Sequence, residues 1–196
     1  MPNITSGIYK NRNLLTPSSF LNKNNIRPTA NYTKQLIMNL IKNGNVIPGI
    51  FKIESSIIAD ICCGTGAVGF ELISNGAKHC YFIDSNNIAL SYIKETARSL
   101  GIIENITTNL SMTNLRKMEC KLDLIFIDPP YQQQDLILGN FINIASKSTC
   151  ITNKTIIIAE TYKDLSKDIE ANGCEILINR EGVSKTFIVG FKLNKE

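Results

Sequence analysis

Between Ser56 and Asp84 the chain sets out, in order, an apolar strand pattern, a glycine loop, a helical run, a second strand and an acid, and few folds accept that order. Ser56-Ile57-Ile58-Ala59-Asp60-Ile61 reads as a short buried strand. Cys62-Cys63-Gly64-Thr65-Gly66-Ala67-Val68-Gly69 is the loop that follows it, leading into a helical run through Phe70, Leu72 and Ile73. Cys80-Tyr81-Phe82-Ile83 is the next strand, closed by Asp84.

The alternation continues downstream. A helix is expected from Asn86 to Leu100, a strand from Ile106 to Leu110, a strand over Leu122–Ile127, a helix from Gln134 to Ser146 and a strand over Thr155–Glu160. Cys174–Asn179 and Thr186–Lys192 alternate around Gly182 and pair as a closing hairpin. Strands alternating with helices predict an α/β fold with a doubly wound, mostly parallel sheet, here of seven strands. A length of 196 residues suits one such domain with a small appendage.

The appendage lies at the N-terminus. Ile4–Leu15 alternates loosely around Gly7, as a short hairpin or extended arm does, and Thr16–Arg27 is rich in Ser and Asn and reads as a mobile loop. Pro28-Thr29 opens a helix with Leu36, Ile37, Leu40 and Ile41 on one face and Gly44 as its stop. The expected division is residues 1–28 as an arm and 29–196 as the body.

Gly64, Gly66 and Gly69 match the dinucleotide fingerprint, and Asp84 stands where its ribose-binding acid is expected. A nicotinamide cofactor is therefore one reading. A pyrophosphate wants a helix N-terminus free of competing anions, yet Asp60 aims a carboxylate at this loop. A sulfonium and an ammonium would welcome that charge. S-adenosylmethionine carries both and no phosphate, so it is the favoured ligand.

A second motif supplies the partner chemistry. Asp128-Pro129-Pro130-Tyr131 follows the apolar strand Leu122–Ile127, at a carboxyl end, where open α/β sheets place their ligands. The exocyclic amine of a nucleobase is a poor nucleophile because its lone pair is delocalised. The Asp128 carboxylate and the Pro129 carbonyl are two acceptors for its hydrogens, and they turn the lone pair toward an electrophile. Pro129 and Pro130 fix the backbone and donate nothing. Tyr131 offers a stacking face, worth roughly 1–3 kcal/mol per base. The plain alternative is a strand that ends in a Pro-Pro turn.

Charge is unevenly spread. Residues 1–53 carry seven basic side chains and no acid, whereas the other 143 carry 14 basic and 17 acidic ones. A basic end beside a mildly acidic body suits a polyanionic substrate, although a solvated positive face would look the same. No apolar run approaches the 20 or so residues of a membrane span and no signal-peptide core is evident, so a cytoplasmic protein without a membrane partner is expected. The six cysteines lack ligand-like spacing and read as small core residues, with no metal expected. His79, the only histidine, reads as a loop residue, so a histidine base has little part in the chemistry.

At this point the residues resemble a known family. Asp60-Ile-Cys-Cys-Gly-Thr-Gly is similar to the first motif of Rossmann-like S-adenosylmethionine-dependent methyltransferases, and Asp128-Pro-Pro-Tyr to their amine-binding fourth motif. More narrowly, Ser6-Gly7, Tyr9-Lys10 and Arg12, then Arg27-Pro28-Thr29 ahead of a helix, resemble the N-terminus of the RsmD family. That family methylates the N2 amine of a guanine in bacterial 16S ribosomal RNA. The resemblance runs from about residue 3 to residue 192.

It implies that Asp60, Cys62, Gly64, Thr65 and Gly66 hold the methionine part of the cofactor, with Asp84 and Ser85 at the ribose. Ser111, followed by Met112, stands where the family usually has an acid at the adenine amine; a serine oxygen accepts more weakly. Asp128, Pro129, Pro130 and Tyr131 would be catalytic. Lys10, Arg12, Arg27, Thr29 and Lys34 would contact RNA. The partner implied is 16S ribosomal RNA or the assembling 30S subunit, met by a monomer. DNA adenine-N6 and protein glutamine-N5 methyltransferases use a similar tetrad and remain alternatives, as do a nicotinamide-dependent oxidoreductase and a noncatalytic RNA-binding relative.

Overall fold

The computed structural model describes residues 2–23, 31–42, 52–181 and 187–194. Its centre is a seven-stranded sheet in the order β3-β2-β1-β4-β5-β7-β6, with β1 at Ile57–Ile61, β2 at His79–Ile83, β3 at Ile106–Asn109, β4 at Leu124–Ile127, β5 at Ile156–Thr161, β6 at Cys174–Glu181 and β7 at Phe187–Leu193. The first five run parallel. The last two form the antiparallel hairpin, but β7 is the one inserted beside β5, which leaves β6 at the edge.

The sheet is covered on both faces, which is why its central strands read as near-continuous apolar runs. Side chains alternate between two cores. Ile58, Leu124, Phe126, Ile156 and Ile158 face the first, with helices α2 (Asn31–Lys42), α3 (Ala67–Ser74) and α4 (Asn87–Leu100). Ala59, Ile125, Ile127, Ile157 and Ala159 face the second, with α5 (Gln134–Ser146) and α6 (Ser166–Ala171). Each fully buried Ile or Phe there contributes about 1.5–3 kcal/mol. Gly69 makes the packing of α3 possible, because a Cβ there would come within 2.4 Å of the Phe82 ring on β2.

The N-terminal arm joins the first core. A single antiparallel bridge pairs Asn3 with Asn13, and Ile4 and Leu14 are buried among the residues of α2, α3 and α4. Glu71, buried in α3, accepts from the Thr5 amide at 2.8 Å, the Thr5 hydroxyl at 2.9 Å and the Ser6 hydroxyl at 2.6 Å. Gly7 is required by close approach, since a Cβ would lie 1.9 Å from the Ser74 carbonyl oxygen at the end of α3.

Two expectations need correction, and one helix was not foreseen. The stretch expected to be a mobile loop contains helix α1 (Ser18–Lys23), which buries Leu21 and sets Phe20 edge-on to Tyr92 of α4 at 5.2 Å. A short helix unseen in the sequence pattern, α6, follows β5. His79 opens β2 rather than lying in a loop, with Nε2 2.9 Å from the Thr107 hydroxyl of β3. Pro28, Gly44 and Gly182 lie outside the described residues. No described helix is long and apolar enough to cross a membrane.

Candidate active site

The parallel register brings the two motifs to one edge of the sheet. Ile61 of β1 aligns with Ile83 of β2 and with Ile127 of β4. The residues that follow, Cys62, Asp84 and Asp128, therefore leave the sheet side by side, at strand spacings of about 5 Å. The Asp128 amide donates to the Ile61 carbonyl at 3.2 Å and the Cys63 amide to the Ile83 carbonyl, also at 3.2 Å. The chain order reverses between β1 and β4, so this is the switch point at which doubly wound sheets bind ligands.

The glycine loop curls over the end of β1. Cys62, Gly64 and Gly66 all take positive φ, at 57°, 51° and 73°. Gly66 is the N-cap of α3 and supplies no side-chain acceptor. Asp60 supplies one from the strand instead: its Oδ2 accepts the Gly69 amide, in the first turn of α3, at 2.9 Å. Burial pushes the Asp60 carboxyl up to about 8, against the opposing effect of that Gly69 bond and with a further push from Asp84. A pyrophosphate would need the same helix end, so this arrangement disfavours a dinucleotide.

Asp84 ties the loop to the start of α4. Its Oδ2 accepts from the Gly64 amide and its Oδ1 from the Asn86 amide, each at 2.8 Å. Asn86 in turn caps α4 by accepting from the amides of Ile88 and Ala89. Carboxylate oxygens have further lone pairs, so Asp84 can still accept from a diol. Ser85 beside it is exposed, and Thr65 is buried in the loop.

Cys62 lies among these acids. Burial foremost, then Asp84, Asp128 and Asp60, pushes its thiol up to about 12, which makes it a neutral wall rather than a nucleophile. The segment Asp60–Gly69 contains no basic side chain. The carboxylates of Asp84 and Asp128, a protonated Asp60 that holds the loop through the Gly69 amide, a neutral thiol and backbone amides fit a ligand that is cationic, lacks phosphate and carries a diol; S-adenosylmethionine meets all three requirements.

At the tetrad, Asp128 is half-buried, Pro129 buried and Pro130 exposed. Tyr131 opens a 3-10 turn, Tyr131–Gln133, that runs directly into α5. Ser111 lies past the end of β3, where it caps another 3-10 turn (Met112–Lys117) by accepting the Thr113 amide at 3.2 Å. Met112 packs partly against the second core.

The basic residues divide. Lys10 and Arg12 are exposed on the arm, and an Arg12 Nη2 donates to the Ser99 carbonyl at 3.3 Å. Arg27 and Thr29 lie outside the described residues. Lys34 is not available to a phosphate: it is 1% exposed, donates to the Asn3 carbonyl at 2.6 Å and sits 4.0 Å from Glu71. Desolvation lowers its pKa, partly offset by Glu71.

Two residues at this edge escaped the sequence reading. Gln134, 1% exposed at the start of α5, accepts the Tyr162 amide at 3.0 Å, and the Tyr162 ring lies 5.9 Å from that of Tyr131. A strand followed by an aromatic residue was the only signal, and its adjacency to the tetrad depends on the β4–β5 register. Among the described residues no cluster of His, Cys, Asp or Glu is arranged to hold a metal ion.

Comparison with known proteins agrees with the geometry. Residues 3–189 match the family model described as conserved hypothetical protein 95. Ribosomal RNA small subunit methyltransferase D of Buchnera aphidicola subsp. Baizongia pistaciae is 30% identical over 166 residues, which cover 84% of this chain and 78% of the relative. The protein of the same name from Buchnera aphidicola subsp. Acyrthosiphon pisum is 29% identical over 172 residues, covering 86% and 82%. Among solved structures, the candidate methyltransferase yhhF of Escherichia coli superposes with a TM-score of 0.75 over 99% of this chain and 98% of that one; at 15% identity the likeness is one of fold.

Proposed function

The chain belongs to the RsmD family of ribosomal RNA small subunit methyltransferases, and from that premise we propose that it transfers a methyl group from S-adenosylmethionine to the N2 amine of a guanine in 16S ribosomal RNA. The observation that carries this reading is the bond from the Asp128 amide to the Ile61 carbonyl, which sets the amine-binding tetrad directly beside the glycine loop.

In this reading Asp60, Cys62, Gly64, Thr65 and Gly66 surround the methionine part, Asp84 and Ser85 meet the ribose, and Ser111 and Met112 border the adenine. The bound S-adenosylmethionine supplies a methyl group already activated by the positive sulfonium. What the chain adds is position. A guanine leaves its stack, as buried bases must for chemistry at their edges. The Asp128 carboxylate and Pro129 carbonyl accept its two amine hydrogens, Pro130 keeps that wall rigid, and Tyr131 stacks on the ring. The arm, residues 1–28, presents Lys10 and Arg12 to the RNA backbone; Arg27 and Thr29, outside the described residues, are assigned to the same RNA contact from the sequence alone.

Labelled S-adenosylmethionine, offered with unmodified 16S RNA, assembling small subunits, DNA and release factor in parallel, tests the reading. Label in the RNA or the subunits supports it. Label only in DNA would place the target at an adenine amine, and label only in release factor at a glutamine amide.

A further inference from the structure

We infer that Tyr162 is a second aromatic wall of the base site, forming with Tyr131 a jaw that grips the target purine; this rests on the function proposed above. Nothing in the two motifs points to Tyr162. Its position comes from the sheet: Ile127 of β4 aligns with Ala159 of β5, so the segment after β5 emerges next to the tetrad.

Both rings stand in solvent, Tyr131 at 44% exposure and Tyr162 at 47%. Two large aromatic faces at the mouth of a ligand-binding edge are costly in water and useful to a base. Their centroids lie 5.9 Å apart with 47° between the planes, so the jaw rests closed, ring against ring. A base held between two parallel rings needs them about 7 Å apart, twice a carbon–carbon contact distance. Admitting it takes a side-chain rotation that both separates the rings by roughly 1 Å and turns their planes toward parallel, a motion open to exposed side chains.

The backbone beneath the jaw is held firmly. Gln134, buried at the first turn of α5, accepts the Tyr162 amide at 3.0 Å, and the Thr161 hydroxyl donates to the Lys163 carbonyl at 2.7 Å. Tyr131 enters the same helix through its 3-10 turn. Both rings are thus referenced to one rigid element, as a gripping pair requires. Lys163, the neighbouring cation, is paired with Asp135 at 2.8 Å. This rim therefore offers ring faces before it offers charge, and suits a base rather than a phosphate.

The test is steady-state kinetics on unmodified small subunits with Tyr162→Ala, Tyr162→Leu and Tyr162→Phe, together with S-adenosylmethionine affinity and melting temperature for each. Loss of one base–aromatic stack should raise the KM for RNA roughly 5- to 100-fold in the Ala and Leu variants. Tyr162→Phe should stay within about twofold, and cofactor affinity should not change in any of them. Leu keeps the apolar bulk without the ring face, so a Leu variant with normal KM would overturn the jaw and assign Tyr162 a packing role. A wild-type protein active on RNA with an unchanged Ala variant would likewise overturn the jaw while leaving the proposed function standing. A wild-type protein inactive on RNA would overturn that function and the jaw with it.

Discussion

The carboxylate of Asp84 accepts the amide of Gly64 at 2.8 Å, so the end of β2 dictates the shape of the loop that leaves β1. The acid assigned to the ribose is thus also a latch on the glycine loop. Replacing Asp84 with Ala removes the acceptor for two backbone amides, those of Gly64 and Asn86, at about 1–3 kcal/mol. Titration calorimetry should show S-adenosylmethionine affinity reduced tenfold or more, and thermal melting a lower midpoint without ligand. Full affinity in that variant would remove Asp84 from the cofactor site.

Asp128 has a narrower role. Its amide bond to Ile61 uses the backbone, which a substitution keeps. Asp128→Ala should therefore lower methyl transfer at least about 100-fold, the scale at which removing one positioned polar group acts, with cofactor affinity within a few-fold of wild type. An active Asp128→Ala enzyme would sink the amine-grip assignment.

Asp60 gives a pH signature. Its carboxyl, ordinarily near 3.8, is pushed to about 8 by burial. The folded protein therefore retains a proton that the unfolded chain gives up, and stability falls as pH rises between about 4 and 8. Asp60→Asn keeps a neutral acceptor for the Gly69 amide and carries no titrating proton. Its melting temperature relative to wild type should climb from pH 5 to pH 8. A difference that is flat with pH would contradict the account.

Much of this was legible in the sequence, where the chemistry is local. Helix α5 falls at Gln134–Ser146 as its periodicity predicts, and the loop between Asp60 and Gly69 announces itself through glycines that only special backbone angles require. What was not legible depends on distant partners. Ser18–Lys23 is too short to be helical by itself, and it owes its place to Leu21 in the core and Phe20 against Tyr92. Lys34 looks like any surface lysine until Glu71 and Asn3 fold around it. Tyr162 lies near Tyr131 only once β4 and β5 are in register.

The Lys34–Glu71 pair makes the arm a structural part of the body. Glu71→Ala would leave the buried ammonium and the Thr5 and Ser6 donors short of their acceptor. A loss of about 3 kcal/mol in denaturant unfolding is expected, the scale for breaking a buried pair. Limited proteolysis should then cut within residues 2–15, where the wild-type arm resists. An arm equally protected in both proteins would show that Glu71 does not anchor it.

Mass mapping of 16S ribosomal RNA from a strain lacking this gene, before and after the gene is restored, is the direct test of guanine-N2 methylation by this protein. The account predicts that one N2-methylguanosine disappears and returns with the wild-type gene, but not with its Asp128→Ala form. An unchanged set of modifications in the 16S RNA of the deletion strain would contradict it.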